Sequence, residues 1–503
     1  MINFSVIMDE TTPLKHYWEE CVGSCHAYTA LREDYRTQLK RAHEELGFKY
    51  VRFHGLLDDD MSVCLKRAYY DALPPKEAIV YNFVNIDNIY DYLLSIGMKP
   101  FIEIGFMPEC LASGKETVFH YKGNITPPAD YNRWNDLIYA FVEHLGERYG
   151  LEEIRQWYFE VWNEPNLCGF WAGTKEQYFE LYANTARTIK SYDGQLKVGG
   201  PATSVNSWIR DMIEFCEGNS VPLDFISTHH YPTDDPLWKR GSTDLATMDN
   251  MQEIILELQK GRYDRDIIKK MTTKARAEAG QYPLFYTEWN TSAMTNDAQH
   301  DESYAAAMIS KILADNDGLV DIYSFWTFTD IFEESGQLDG VSHGGFGLMN
   351  YYGVAKPAYR CFQLFHETGD KRYSVVSSEP DATVEAAAFS IPNGIRVIAY
   401  NFNVAGSEIK DEAVHIEISN GIKPKSISIQ RIDNDHCNPK QCWIDMGSPK
   451  YINAEQLEQL HKASQLSREA LESLDVIVPA NSMCAIDIEL KIFTNVISSF
   501  LEC

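Results

Sequence analysis

Between about residues 21 and 365 the chain alternates short apolar runs with amphipathic helical stripes, and few architectures tolerate that order. Eight runs have the length and character of strands: 22–28, 48–53, 99–106, 157–162, 196–200, 224–228, 284–287 and 321–327. Several are apolar on both faces, as in Pro100-Phe-Ile-Glu-Ile-Gly105, and strands buried on both sides belong to parallel sheets covered by helices. Helical stripes lie between them. Trp134, Leu137, Ile138, Phe141, Val142 and Leu145 follow one helix face, with Asp130 placed to cap the start and Gly150 to end it. Leu39, Ala42, His43 and Leu46 form a second stripe stopped by Gly47, and Tyr178, Leu181, Tyr182, Thr185 and Ile189 a third. Ala305, Met308, Ile309, Ile312 and Leu313 form another, with Asp301 and Glu302 expected in its first turn. Eight strands alternating with helices predict an α/β chain closed into a (β/α)8 TIM barrel. A doubly wound open sheet would carry a Gly-rich phosphate turn after its first strand, and the sequence has none there.

At 503 residues the chain exceeds one ordinary domain. A (β/α)8 barrel takes roughly 250 to 400 residues, so a second unit must follow. After about residue 366 the texture becomes that of short strands, at 383–390, 395–401, 413–418, 426–432, 473–478 and 483–492, with one charged helical stretch near 454–473. This predicts an additional C-terminal β-sandwich domain of roughly 135 residues. The expected division is 14–365 for a catalytic barrel and 366–503 for the sandwich, with 1–13 adding a strand through residues 3–8. There are no repeats and no low-complexity linkers.

Composition excludes some partners. The formal net charge is −28, from 45 Lys and Arg against 73 Asp and Glu. Such a surface repels phosphate backbones and anionic headgroups, so neither nucleic acid nor membrane is expected. A neutral substrate fits better. The 11 cysteines are odd in number and lack regular spacing, which reads as free thiols in a reducing compartment. No apolar run reaches the ~18 residues of a membrane span, and the first residues lack the pattern of a secretion signal. Both point to a cytoplasmic location.

Two segments carry chemistry. In Trp157-Tyr-Phe-Glu-Val-Trp-Asn-Glu-Pro-Asn166 an apolar strand runs to Trp162, and Asn163 and Glu164 follow at its C-terminal end. Pro165 then ends ladder pairing. In Pro283-Leu-Phe-Tyr-Thr-Glu-Trp-Asn290 a second apolar strand ends in Glu288. The C-terminal strand ends form the active face of such a barrel. By order these are strands four and seven, far enough round the barrel for the two acids to face each other across its mouth. Glycoside cleavage needs two carboxyl groups, one to protonate the leaving oxygen and one to attack the anomeric carbon or activate water. A single Glu after a strand would read as a surface charge or a helix cap; two, each beside Trp and Asn, on facing strands, do not. Glu103 and Glu160 lie deeper and are expected to pair inside with a cation such as Arg52.

The stretch 159–167, Phe-Glu-Val-Trp-Asn-Glu-Pro-Asn-Leu, resembles the acid/base motif of glycoside hydrolase clan A. In detail it is similar to family 39, the family of β-xylosidases and α-L-iduronidases. Tyr50-Val-Arg-Phe-His-Gly55, Phe225-Ile-Ser-Thr-His-His-Tyr231, Ser324-Phe-Trp-Thr-Phe-Thr-Asp-Ile-Phe-Glu-Glu334 and Gly344-Gly-Phe-Gly-Leu-Met-Asn350 support the resemblance in order. It implies Glu164 as acid/base and Glu288 as nucleophile. It implies Asn163 as ligand of the sugar 2-hydroxyl, Tyr231 as a hydrogen-bond partner of the nucleophile, and His229 beside it. His54 and Glu333 are implied sugar-hydroxyl ligands, and Trp326 the platform under the ring. Singly, His54 or His229 would read as a core histidine and Trp326 as a packing residue. His230 and Glu334 stand one position away and are the alternatives.

Long connections after strands two, six and eight, at 55–85, 232–246 and 330–358, would wall off a pocket and favour removal of a terminal sugar. Iduronidase-like members place Lys two residues after the strand-six His; Tyr231 stands there in this chain, which favours a neutral sugar. The expectation is a retaining exo-glycosidase, a xylan 1,4-β-xylosidase acting on xylobiose and short xylo-oligosaccharides, with no cofactor and no metal. The alternatives are another family 39 exo-glycosidase (α-L-iduronidase-like, β-glucosidase or arabinosidase), a non-catalytic carbohydrate-binding barrel, and a metal-dependent hydrolase. The last would need a His-x-His strand end, whereas His229 and His230 are adjacent. A monomer and a homo-oligomer are both compatible with the sequence.

Overall fold

The computed structural model describes residues 1–66, 79–239, 253, 256, 263–336, 340–421 and 423–490. Parts of the three long connections, at 67–78, 240–246 and 337–339, lie outside the described residues, as do the last two residues of the expected strand at 483–492. Eight parallel strands close into a barrel in chain order: Cys21–His26, Tyr50–His54, Lys99–Ile104, Tyr158–Val161, Lys197–Thr203, Phe225–His230, Leu284–Trp289 and Ile322–Phe325. They are called barrel strands one to eight below. The closed (β/α)8 architecture anticipated from the sequence is present, with strand ends shifted by a few residues.

The helices form as their stripes predict. Glu33–Leu46 ends at Gly47, whose φ of 77° is left-handed, the conformation in which glycine costs least. Asp130 caps Tyr131–Tyr149 by accepting from Asn132 N. Thr174 and Gln177 form a capping box at the start of Lys175–Tyr192. Helix Ser303–Asp315 starts later than expected: Asp301 belongs to a preceding 3-10 turn and is buried, where it pairs with Lys356 at 2.8 Å.

Side chains fill the barrel in layers, because alternate residues of a strand point inward. The lowest layer is apolar and largely aromatic, with Cys21, Phe101, Phe225, Phe285 and Ile322 packed against Tyr50 and Tyr158. Two residues further along their strands come Arg52, Glu103, Glu160, Ser227 and Thr287, all buried. Charge is therefore enclosed between an aromatic floor and the open mouth.

The second unit is one continuous nine-stranded sheet. Its order is Arg468–Ala470, Pro424–Ile432, Ser482–Leu490, Gly394–Asn401, Val384–Ile391, Lys371–Ser377, Ile2–Pro13, Glu412–Ile418 and Asp475–Val478. The N-terminal strand pairs antiparallel with Lys371–Ser377 and parallel with Glu412–Ile418. The sheet curls until its last strand meets Gly394–Asn401 and Ser482–Leu490. Both halves thereby share one apolar core, including Phe4, Val6, Val397, Ile416 and Ile486. The expected sandwich core is thus made by a single sheet folded over itself. The strand Lys371–Ser377 and the helix Pro439–Asp445 had no counterpart in the sequence expectations, and the helical stretch expected near 454–473 is a helix only over Ala454–Ala463, with Arg468–Ala470 an edge strand instead.

Candidate active site

Glu164 lies three residues beyond barrel strand four and Glu288 is the penultimate residue of strand seven. Each has a carboxylate oxygen within 4.8 Å of the other's and of a ring nitrogen of His229. Glu164 sits at φ 43° and Trp162 at φ 73°, a left-handed conformation costly for residues with a Cβ. The chain turns there so that Trp162 N still donates to Ile104 O of barrel strand three while Glu164 N donates to Ala202 O.

Strand seven reaches the pocket by a different device. Its pairing with strand six skips one residue between Tyr286 and Glu288. An extra residue in one strand of a pair is a β-bulge, which re-aims side chains. Thr287 and Glu288, though consecutive, both point inward. Thr287 Oγ1 donates to Glu160 Oε1 at 2.8 Å, and Glu288 accepts from Arg52 at 2.9 Å and from Tyr231 Oη at 3.0 Å.

Arg52 organises the charged layer. Its guanidinium donates to Glu160 at 2.6 Å and to Asn163 Oδ1 at 2.7 Å, and lies 2.9 Å from Glu103. The pairing of Glu103 and Glu160 with Arg52 is as the sequence suggested; that Arg52 also holds Glu288 and Asn163 was not foreseen. With Oδ1 of Asn163 occupied by Arg52, its buried Nδ2 has no hydrogen-bond partner. A buried donor left unpaired is costly, so this one is set to meet a ligand oxygen. His54 Nδ1 donates to Glu103 at 2.6 Å, and its Nε2 lies 3.5 Å from Glu288. Burial alone would lower its pKa, but the Glu103 carboxylate, with the charge of Glu288 adding to it, leaves it raised.

A hydrogen-bond chain sets the proton on Glu164. The Thr287 hydroxyl proton is given to Glu160, so Thr287 Oγ1 can only accept from His229 Nε2, 3.1 Å away. That tautomer leaves His229 Nδ1 with a lone pair facing Glu164 Oε1 at 3.0 Å. Burial, and then the positive charge of Arg52, push the His229 pKa well below its usual value, so the ring is neutral. A bare nitrogen is satisfied there by a protonated carboxyl. Burial, then the charges of Glu288 and Asp234, push Glu164 well above the ordinary carboxylate range. Hydrogen bonding and electrostatics therefore agree on a neutral, proton-carrying Glu164 facing Glu288.

The remaining expected residues divide. His229 faces the two acids, whereas His230 points away, stacks on Tyr286 at 3.8 Å and contacts Tyr323 Oη at 2.7 Å. Trp326 is buried with its ring 4.7 Å from His54. Glu333 is not in the cluster: its carboxylate lies 3.7 Å from Arg32 and 3.8 Å from His26. Its neighbour Glu334 is the one aimed at the pocket, 4.0 Å from His54 Nε2. Burial pushes Glu334 up to about 8, with the charge of Glu288 adding and His54 opposing. Phe119 and Phe170, 6.4 and 6.2 Å from His54, were not foreseen. They come from connections after strands three and four, whose aromatics carry no signal separating a pocket wall from a core. The Glu164–His229–Glu288 group also has the compactness of a metal site. However, Arg52 already places a positive charge against Glu288.

The family model for Glycosyl hydrolases family 39 matches residues 6–476. A beta-xylosidase of Caldicellulosiruptor saccharolyticus is 47% identical over 461 residues, covering 91% of this chain and 90% of that protein. A beta-xylosidase of Geobacillus stearothermophilus is 36% identical over 494 residues, covering 94% and 93%. The crystal structure of a monomeric beta-xylosidase from Caulobacter crescentus superposes with a TM-score of 0.81 at 31% identity, covering 97% of this chain and 99% of that one. By the extent of these matches the chain is a glycoside hydrolase and belongs to glycosyl hydrolases family 39.

Proposed function

We propose that the chain is a retaining exo-β-xylosidase that releases xylose from the non-reducing end of β-1,4-xylo-oligosaccharides. The observation that carries the mechanism is the separation of the two acids: carboxylate oxygens of Glu164 and Glu288 lie within 4.8 Å. Double displacement needs carboxyl groups about 5–5.5 Å apart, whereas inversion needs roughly 6.5–9.5 Å to admit a water. Glu288, held by Arg52 and Tyr231, attacks the anomeric carbon. Glu164 gives its proton to the departing oxygen. Once Glu288 is glycosylated its charge is gone, the repulsion that keeps Glu164 protonated falls, and Glu164 takes a proton from the incoming water. In this reading Asn163 Nδ2 meets the sugar 2-hydroxyl, His54 and Glu334 meet other hydroxyls, and Trp326 stacks under the ring. Residues 14–365 form the catalytic body and 366–503, with 1–13, a supporting unit.

The xylose preference rests on the two relatives that match over nine-tenths of the chain. Tyr231, where iduronidase-like members place a Lys for the sugar carboxylate, favours a neutral glycone. No described helix is long and apolar enough to cross a membrane, and a cytoplasmic enzyme acting on imported oligosaccharides is the reading adopted. Hydrolysis of aryl β-xyloside against aryl β-glucoside and α-iduronide tests it, with Glu164→Ala and Glu288→Ala as controls. The xyloside is expected to be preferred, and each variant to lose at least 10³-fold in kcat on it. Equal activity of wild type and both variants would remove the mechanism; preference for another glycoside would remove only the substrate.

A further inference from the structure

Away from the barrel mouth, three donor atoms converge where the chain passes between the sheet and the barrel. His16 and Glu19 lie on the segment joining the N-terminal strand Ile2–Pro13 to barrel strand one. His366 is the last residue of helix Pro357–His366, just before the chain returns to the sheet through Lys371–Ser377. One oxygen of Glu19, Oε1, faces both imidazoles: His16 Nδ1 at 2.5 Å and His366 Nδ1 at 2.9 Å. All three donor atoms lie within 4.8 Å of one another.

The tautomer of His16 gives this arrangement a direction. Its Nε2 lies 3.2 Å from Gly369 O, which can only accept, and 3.2 Å from Thr368 Oγ1, whose proton is directed to Phe365 O. Nε2 therefore carries a proton. The other nitrogen, Nδ1, faces the Glu19 carboxylate in one of two ways: as the second N–H of an imidazolium paired with it, or as a lone pair directed at a cation that the carboxylate shares. An imidazole that donates its far N–H to a backbone carbonyl and turns its lone pair toward other donors is the arrangement found around bound zinc. His16 is also held flat against the buried Trp18, with ring centres 4.8 Å apart. A Cβ on Gly47 would fall 2.6 Å from the His366 ring and 2.7 Å from Glu19 Oε2, so the glycine leaves room for the group.

We propose that His16, Glu19 and His366 bind one divalent ion of the zinc class, with solvent completing the shell. Two imidazole nitrogens and one carboxylate oxygen suit Zn2+, Co2+ or Ni2+. Bonds of about 2.0–2.1 Å put ligand atoms roughly 3.3 Å apart in a tetrahedral shell. The 2.5 Å contact must open by somewhat less than ~1 Å, which His16 and His366 can do because their side chains are 18% and 35% exposed. The ion would clip together the two places where the chain crosses between barrel and sheet. The spacing of 16, 19 and 366 hides the site from any short sequence motif.

The test is Zn2+ titration of the tag-free, chelator-treated full chain by calorimetry, beside His16→Gln and His366→Gln. One ion per chain with a Kd of micromolar or tighter is expected, weakened at least tenfold in either variant, with a rise in wild-type Tm on adding Zn2+. X-ray absorption of the Zn2+-loaded wild type supplies a readout that does not depend on the variants folding. Nitrogen and oxygen scatterers with the signature of two imidazoles support the site, whereas a single imidazole would place the ion at Glu164, His229 and Glu288 and overturn it. Sulfur ligands, equal binding by wild type and variants, or no saturable binding would overturn it.

Discussion

A carboxyl group that is neutral at working pH can donate a hydrogen bond, and Glu334 is placed to do so. Burial outweighs His54 and pushes it up to about 8, so near neutrality it faces the pocket as a donor and acceptor together. Glutamine offers the same pair of groups without a titratable proton. Glu334→Gln is therefore expected to keep KM for aryl β-xyloside within a few-fold, and Glu334→Ala to raise it about tenfold, the size of one hydrogen bond of roughly 1.4 kcal/mol. In wild type KM should climb as pH rises past about 8, and in Glu334→Gln it should not. Equal effects of the two substitutions would deny Glu334 a donor role. Glu164 gives a second pH dependence. It must be protonated for the first step, so kcat/KM of the free enzyme falls as pH rises through its raised pKa. Trapping Glu288 as a slowly hydrolysed glycosyl ester removes the nearest negative charge, and the pKa of Glu164, followed by carbon NMR of its carboxyl, should then drop. An unchanged value would place the cause in burial alone.

At the scale of elements, the sequence is informative where periodicity is strong and silent where geometry departs from it. Barrel strands buried on both faces and helices with clean stripes could be read directly, down to Asp130 as a cap and Gly47 as a stop. Glu164 was legible because an apolar strand delivers it to the mouth. The bulge at Thr287 was not, because nothing in Phe-Tyr-Thr-Glu-Trp says that two neighbours will face the same way. Glu333 and Glu334 could not be told apart for a related reason: in a connection without a period, one position turns a side chain from the pocket to Arg32. The strand Lys371–Ser377 was missed because much of it is exposed and its polar residues give no apolar run. Close approach between elements is equally invisible from sequence, as at Gly23. A Cβ there would fall 2.7 Å from Trp326 Cε3 and 3.1 Å from Phe325 O, so strand one must lack a side chain for Trp326 to lie where it does. Gly23→Ala is expected to cost about 1–3 kcal/mol of stability by overpacking and to raise KM by displacing Trp326 from His54. Unchanged KM together with unchanged thermal stability would show that the contact is not held.

For the whole molecule the question is whether barrel and sheet unfold together. Helix Ser303–Asp315 is buried along nearly its full length; its run of alanines lets the strands Gly394–Asn401 and Ser482–Leu490 approach it closely. Charged groups cross the same boundary. Arg265 donates to Phe402 O at 2.9 Å and Thr383 O at 2.8 Å and pairs with Glu385, which also meets Lys311 at 3.1 Å. Arg396, 2% exposed, joins Asp487 at 2.6 Å to Leu364 O at 2.7 Å. Removing one partner of a buried pair costs about 3–5 kcal/mol, and Asp487 keeps Arg468 at 2.6 Å, so Arg396→Ala should lie near the lower end, about 3 kcal/mol. The resulting fall in Tm depends on how much chain unfolds at once. At about 2.1 cal/mol/K per residue, a cooperative unit of 503 residues has an unfolding entropy of about 1 kcal/mol/K, and Tm should drop by about 3 °C. A sheet of roughly 135 residues melting alone has about 0.3 kcal/mol/K, and the same substitution would then lower its own transition by about 10 °C and leave the barrel's in place. Calorimetry of wild type and Arg396→Ala separates these. The interface described above predicts a single transition in both, displaced by the smaller amount, and two transitions moving independently would mean that the buried helix and its ion pairs do not bind the two parts into one unit.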